Sequence, residues 1–458
     1  MFTLYSALLG LGLLLTSPYW AIQMLRLGKY RAGLAERLGR VPKRIREGDA
    51  ADSLETVERV MALEESGQVI PPSEDTQRIP QRSIWIHAVS VGEVLAISGL
   101  LAALRQAVPG YRILISTTTH TGQKLARERF GAENVFYFPL DFAFCIRPYV
   151  RALRPALVVV AETEFWPNFL RVVRSSGARV AVVNARISDR SFPRYQQWRG
   201  LLSRVLRYVD LFLAQSEEDA RRLGEIGAAV DRVRVSGNLK FDVKPPEEVA
   251  VIEQLRQMIG TAGTGPVIVA GSTVEGEEEL VLAAFRLVLK RYPGALLILA
   301  PRHKERFGDA KGILERAGIP FVLRSQMSGS ERLAGSILLL DSLGELASVY
   351  ALAEVAFVGG SLVPRGGHNI LEPAYWGVAI VVGPHTENFR DIIRIFQQTD
   401  AVRVAQPASL GDVFVALLAS EKERKALGER ARTVVEQQMG ATERTLEALR
   451  GLVEESAG

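Results

Sequence analysis

Short apolar runs alternate with amphipathic stretches along most of this chain, and they do so in two successive blocks. The first block holds SIWIHAV, RILIST, NVFYFP, ALVVVAE, ARVAVVN and LFLAQ; the second holds VIVAGS, ALLILAP, SILLLD, VAFVGG and AIVVGP. Runs this short and this rich in β-branched residues, separated by helical patterns, predict parallel strands covered by helices on both faces. The expected fold class is α/β, with two doubly wound, Rossmann-like domains facing one cleft. KPPEE, directly after Phe241–Asp242–Val243, is the expected hinge.

Ahead of the first block stands an uncharged, mostly apolar segment, residues 2–25, with LLGLGLLL at its centre and Tyr19–Trp20 near its far end. As a helix it measures about 36 Å at 1.5 Å per residue, against a hydrocarbon core of roughly 30 Å. No basic stretch precedes it and no small-residue cleavage pattern follows, so a membrane anchor fits better than a cleaved leader. Pro18, Gly10 and Gly12 weaken the run, which leaves spanning and lying on the membrane both open. Residues 26–46 then carry eight basic side chains (Arg26, Lys29, Arg31, Arg37, Arg40, Lys43, Arg44 and Arg46) against Glu36 alone. The net charge is +5, so with this +7 segment removed the remainder is at −2. The basic character is local, suits anionic lipid head groups, and argues against nucleic acid as a partner. The positive-inside tendency places it in the cytoplasm. One thiol, Cys145, excludes an internal disulfide, and with five His leaves little for a Cys/His zinc site. The expected organisation is an anchor (1–25), a basic collar and polar, acid-rich linker (26–82), a first domain (83–243) and a second (250–458) that includes the C-terminal helices.

Ligands of open α/β sheets bind beyond the carboxyl ends of the strands, which directs attention to those ends. In HAVSVGEVLA, Ser90 and Glu93 have capping-box spacing, yet a carboxylate at a strand-to-helix junction can also accept a proton. In AETEFWPN, Glu162 and Glu164 follow an apolar strand; extended alternation would set both on one face, while a place in a helix first turn would make them dipole partners. In NARISDR, Arg186 offers a cation for an anion or for a surface pair. In the second block, Gly271 and Ser272 lead into a helix whose N–H groups suit a phosphate, and Arg302 and His303 follow the next strand. FVGGSLVPRGGHNILEPAYWG carries two Gly pairs, then His368, Asn369 and Glu372. Amides there could hold phosphate and a carboxylate could grip ribose hydroxyls, with His368 as a packed cap in the alternative reading. Neither G-x-G-x-x-G nor G-x-x-x-x-G-K-[ST] occurs. These groups alone suit a nucleotide-sugar enzyme, whether a transferase using UDP-, GDP- or CMP-sugars or an epimerase, or a tethered scaffold with a decayed site.

HAVSVGE, ETEFWPN, NARISDRS, GNLKFD, AGSTVEGEEE, PRHKERF and GGSLVPRGGHNILEPA, in this order, closely resemble the 3-deoxy-D-manno-octulosonic acid (Kdo) transferases of lipopolysaccharide synthesis. The resemblance also covers the anchor and YRAGLAERLGRVP. It implies a GT-B glycosyltransferase with an N-terminal acceptor domain and a C-terminal donor domain. The donor would be CMP-Kdo, and the acceptor a lipid A precursor at the cytoplasmic face of the bacterial inner membrane. Glu93 would be the general base of an inverting transfer. CMP contacts would fall to Pro301, Arg302, Leu343, Gly344, Glu345, Asn369, Ile370, Leu371 and Glu372. Secondary donor or acceptor contacts would come from Ser272, His303, Gly367, His368, Glu162, Glu164 and Arg186. No cofactor and no metal are implied. Val274 stands where the family usually has His, and Ile370 and Lys304 each replace a usual Pro.

Overall fold

The structure, a computed structural model, describes residues 1–27, 33–47, 82–242, 250–261, 263–329 and 331–457. Nearly all of the acid-rich 47–82 stretch and the KPPEE hinge lie outside the described residues, as do Lys29 and Arg31.

The chain forms two compact units: residues 1–242 together with 440–458, and residues 243–439. The first is built on strands β1 (Ser83–His87), β2 (Arg112–Thr117), β3 (Val135–Tyr137), β4 (Pro155–Ala161), β5 (Arg179–Ala185), β6 (Leu211–Ala214) and β7 (Val233–Val235). The second uses β8 (Val267–Thr273), β9 (Leu296–Pro301), β10 (Phe321–Leu323), β11 (Ile337–Leu339), β12 (Val355–Val358), β13 (Ala379–Val382) and β14 (Arg403–Val404). All pairings are parallel, in the orders β3-β2-β1-β4-β5-β6-β7 and β10-β11-β9-β8-β12-β13-β14. Each order reverses once, between β1 and β4 and between β8 and β12. At such a switch point the connections leave in opposite directions and open a crevice at the carboxyl edge.

Strand residues alternate between two buried faces. Trp85, Leu114, Val158 and Val160 pack on one side of the first sheet, and Ile84, Ile86, Leu157 and Val159 on the other. The second sheet divides likewise, with Ile268, Ala270, Leu297 and Leu299 against Val269, Leu296 and Ile298. This double burial is why the runs are continuously apolar.

The sequence reading carried the second block through to residue 458, but helix Ala441–Ala457 belongs to the first unit. Ala441, Leu449, Leu452 and Val453 join the face formed by Ile84, Ile86 and Leu157. Helix Ser98–Ala107 covers part of that face through Leu100, Leu101 and Leu104, and the last helix completes the cover over β4 and β5. Asp242 fastens it: one carboxylate oxygen accepts from the Gly440 amide at 2.7 Å and the other from the Thr442 amide.

The collar is also folded. Val41 and Ile45 are buried, Arg44 pairs with Glu36 at 2.7 Å, and the Arg37 guanidinium lies 4.6 Å from the Tyr137 ring centre. Arg37 and Arg44 therefore serve packing, while Arg40, Lys43 and Arg46 remain exposed. The N-terminal segment is one helix, α1 (Phe2–Leu27), with Pro18 inside it. Proline has no N–H for the Leu14 carbonyl, and the Ser17 hydroxyl donates to that oxygen at 2.7 Å instead.

Replacing Asp242 with Ala leaves two amides without their acceptor, a loss of about 1–3 kcal/mol. Hydrogen exchange across residues 441–457 should accelerate roughly tenfold or more, with exchange in the second sheet unchanged.

Candidate functional site

In the first unit, β1 ends at His87, which is structural. It is fully buried, lies 3.8 Å from the Phe138 ring centre, and Nδ1 sits 3.0 Å from the Ser116 hydroxyl. Burial pushes its pKa down to about 3, so it is neutral. The next turn presents Glu93 in helix Val91–Ala96. Its carboxylate accepts from the Val89 amide at 2.7 Å and from the Ser90 hydroxyl at 3.0 Å. Ser90 is the N-cap but makes no side-chain bond to the backbone, so the reciprocal capping box is not formed; its hydroxyl serves the carboxylate. Burial, joined by the charges of Glu162 and Glu164, outweighs these two bonds and raises Glu93 to about 7.

Glu162 and Glu164 do lie near Glu93, but not through strand alternation. Glu162 takes a left-handed backbone (φ 59°) immediately after β4, which breaks the extended path. Neither acid is in the first turn of helix Pro167–Ser175, so they are not its dipole partners. Burial raises Glu164, with Glu162 adding to the shift. Lys240 approaches Glu162 at 3.7 Å. The Thr163 hydroxyl donates to the Arg186 carbonyl at 2.8 Å, and the Asn184 side-chain oxygen accepts from the Leu239 amide at 3.1 Å. Four separate motifs thus meet at the β1/β4/β5 edge, with Arg186 half-buried beside them. Asn184 also has positive φ (54°), a strain typical of functional edges.

In the second unit the expected anion site at the start of helix Glu278–Arg291 is faced by the protein's own acids. Glu277 is fully buried and accepts from the amides of Val274 (3.0 Å), Gly360 (2.6 Å), Ser361 (2.9 Å) and Leu362 (2.8 Å). Glu278, also buried, pairs with Arg306 at 2.9 Å. Glu277 spans the β8/β12 switch point and sets the path of the Gly359–Gly360 turn. Val274 needs no side-chain donor for its part in this, since it contributes only its amide. The sequence reading passed over Glu277, and the one available signal was three consecutive acids after the turn glycine, Gly276, where a single cap would suffice.

Around this clasp the remaining groups gather on the carboxyl edge. Ser272 is the next-to-last residue of β8, where its φ of 57° coincides with a break in register to β9, and Arg302 follows β9, its amide donating to the Thr273 carbonyl at 2.9 Å. The His368 ring covers Gly360, where a Cβ would lie 2.7 Å from the imidazole; only glycine fits, also at φ 69°. Burial, then the nearby charges of Arg302 and His303, lowers His368 to about 4. His368 is neutral at pH 7 and its buried Nε2 has no partner. Gly367 (φ 76°) donates its amide to the Gly360 carbonyl at 2.7 Å, closing the loop.

Helix Leu371–Tyr375 begins after the buried Ile370, and the Leu371 amide is already bonded to the Asn369 side chain at 3.1 Å. Amides at this helix start are therefore not all open to a phosphate. Asn369 also donates to Glu372 at 3.3 Å, and burial raises the Glu372 carboxyl against the pull of Asn369 and Arg302. Leu343 is exposed and Gly344 has φ 88°. Glu345 is engaged by Arg324 at 3.0 Å and by Ser342. Pro301 ends β9. All these groups follow strands that neighbour one another at a single edge.

The UDP-N-acetylglucosamine 2-epimerase of Neisseria meningitidis has a similar fold. Its TM-score is 0.51 at 12% identity, over 81% of this chain and 100% of that one. Two Rossmann-like units with polar groups at the carboxyl edges of their parallel sheets are the GT-B fold. The family model described as 3-deoxy-D-manno-octulosonic-acid transferase (kdotransferase) matches residues 33–243. The 3-deoxy-D-manno-octulosonic acid transferase of Haemophilus influenzae is 34% identical over 380 residues, 82% of this chain and 88% of its own. That of Bordetella pertussis is 38% identical over 379 residues, 80% and 86% respectively. The chain belongs to the Kdo transferase family.

Replacing Glu277 with Ala strands three buried amides and the half-buried one of Val274, each buried amide costing about 1–3 kcal/mol. Thermal unfolding should fall by several degrees or more, and amide exchange should rise at Gly360–Leu362.

Proposed function

We propose that the protein transfers Kdo from CMP-Kdo to a sugar hydroxyl of a lipid A precursor, lipid IVA, at the cytoplasmic face of the inner membrane, with inversion. The observation that carries this reading is Glu93, a carboxylate at the switch point of the first sheet with a pKa of about 7. A base poised near neutral pH combines availability with driving force for proton removal. Glu93 takes the proton of the acceptor hydroxyl as that oxygen attacks the anomeric carbon of Kdo. The bond from that carbon to the CMP phosphate oxygen breaks, and its electron pair leaves with CMP.

The second unit holds the donor in this reading. Arg302 meets the negative charge that collects on the leaving phosphate, and Glu372 with Asn369 meets ribose hydroxyls. Pro301, Leu343, Gly344, Glu345, Ile370 and Leu371 frame the nucleotide, with Ser272, His303, Gly367 and neutral His368 beside the Kdo portion. Glu162, Glu164 and Arg186 position the acceptor sugar. Charge stabilisation by Arg302 and backbone amides makes a metal unnecessary. Exposed Arg40, Lys43 and Arg46 suit a phosphorylated lipid and an anionic membrane.

Transfer is measured from CMP-Kdo, generated in situ, to tetraacylated lipid A precursor. Glu93→Ala should lose at least about a hundredfold in rate while CMP binding stays intact. Because the ionised carboxylate is the active form, the wild-type rate should rise about tenfold per pH unit below about 7 and level off above it. Arg302→Ala should weaken CMP binding about tenfold or more. Product from Glu93→Ala at the wild-type rate would return Glu93 to a structural role. No product from a wild type that binds CMP would overturn the reading.

A further inference from the structure

The face of α1 that meets the first unit is defined by helical spacing. Phe2, Tyr5, Ser6, Leu9, Gly10 and Leu13 are half-buried. The Phe2 ring lies 5.8 Å from that of Tyr208 and 4.5 Å from the Arg171 guanidinium. Ser6 accepts from the Asn168 amide group at 2.9 Å, and Gly10 lies against the Phe142 ring. Tyr5 faces the Asp141 carboxylate, and burial of the phenol together with that charge raises the Tyr5 pKa. Asp141 is itself buried and accepts from the Asn168 (3.1 Å) and Phe169 (2.7 Å) amides at the start of helix Pro167–Ser175. Polar contacts of this kind belong to a docked helix, not to one surrounded by lipid.

The opposite face is a stripe of leucines exposed among the described residues: Leu4 (65% exposed), Leu8 (60%), Leu11 (52%) and Leu15 (71%). Phe144 (66% exposed) extends it, stacked on Phe142 at 5.3 Å. Beside it, Arg147, Arg151 and Arg171 line a groove between helices Ala143–Leu153 and Pro167–Ser175. An apolar stripe bordered by cations matches an anionic lipid surface.

Length settles the geometry. Docking uses residues 2–13, and the fourteen that remain to Leu27 reach about 21 Å, short of the roughly 30 Å of a hydrocarbon core. Beyond α1, Gly33 rests against Tyr137 of the same unit, so the helix is tied at its start and the chain is tied again after its end.

We propose that α1 does not cross the membrane: it stays docked on the first unit through Phe2, Tyr5, Ser6 and Gly10 and lies in the plane of an anionic lipid surface, leucine stripe inward. The inference rests on the membrane reading given under the proposed function. It makes α1 part of the first unit's rigid surface, in contact with the ETEFWPN segment through Asn168.

The test uses the full chain in right-side-out and inverted membrane vesicles. Thr3→Cys, an exposed position, is labelled with a membrane-impermeant maleimide, alongside Glu421→Cys as a marker of the face bearing the second unit; the buried Cys145 gives the background. Residue 3 should label from the same face as residue 421, at least tenfold faster than from the other face. Labelling only from the opposite face, or protection from both, overturns the proposal. Flotation with phosphatidylglycerol vesicles gives a second readout. Leu8→Glu combined with Leu11→Glu should reduce bound protein at least tenfold, and a variant that changes oligomer mass while floating normally would overturn the proposal in favour of a second copy on the stripe. Kdo transfer is assayed separately in the same vesicles. Same-face labelling without transfer would overturn the proposed reaction and leave the placement of α1 standing.

Discussion

Both sheets are fully parallel, so both faces of each must be covered and every crossover must return the chain to the same edge. The single reversal of strand order in each sheet follows from that economy, and it decides where polar chemistry can be placed. Glu93 and Glu277 occupy the same topological position, each at the beginning of the first crossover of its sheet. Glu277 is saturated by four backbone amides and acts as a clasp on the β12 loop. Glu93 has one amide and one hydroxyl, which leaves its burial undercompensated. Two carboxylates in equivalent places are thereby separated into a saturated fastener and a carboxylate of raised pKa by the number of N–H groups offered to them.

The same logic sorts the other ionisable groups. His87 and His368 are held neutral by burial, so the imidazole beside the glycine loop adds no positive charge of its own. Cationic charge at that edge comes from Arg302, whose influence reaches His368, Glu372 and Tyr350. The first unit's edge carries the opposite sign, with Glu93, Glu162 and Glu164 tempered by Lys240. The two edges are electrostatically distinct although built on one plan.

Much of this was legible from residue order. Every apolar run read as a strand is one. The three strands not read, β7, β10 and β14, lie at sheet edges, are two or three residues long and lack the double burial that writes a continuous apolar run. The motif clusters were legible as strand ends, but their mutual contacts were not, because bonds such as Thr163 to Arg186 or Leu239 to Asn184 join distant segments. S-x-x-E spacing could not tell whether the capping box closes, since that turned on which way the Ser90 hydroxyl donates. Glu162 defeated the alternation argument by adopting a left-handed backbone, which an acid rarely does. The destination of the last helix was hidden for a different reason: its amphipathic pattern says that it needs a sheet face and not which one.

That return of residues 440–458 to the first unit orders events in time as well as in space. During synthesis the first sheet emerges with one face only partly covered, by helix Ser98–Ala107, and the rest of that cover, over β4 and β5, is not made until about two hundred further residues have been added. At about 5–20 residues per second, the buried side chains of β4 and β5 on this face, Leu157, Val159 and Val183, wait roughly 10–40 s for Leu449 and Leu452. The nascent chain therefore leaves part of an apolar sheet face exposed throughout manufacture of the second unit, a window in which a chaperone is the available partner.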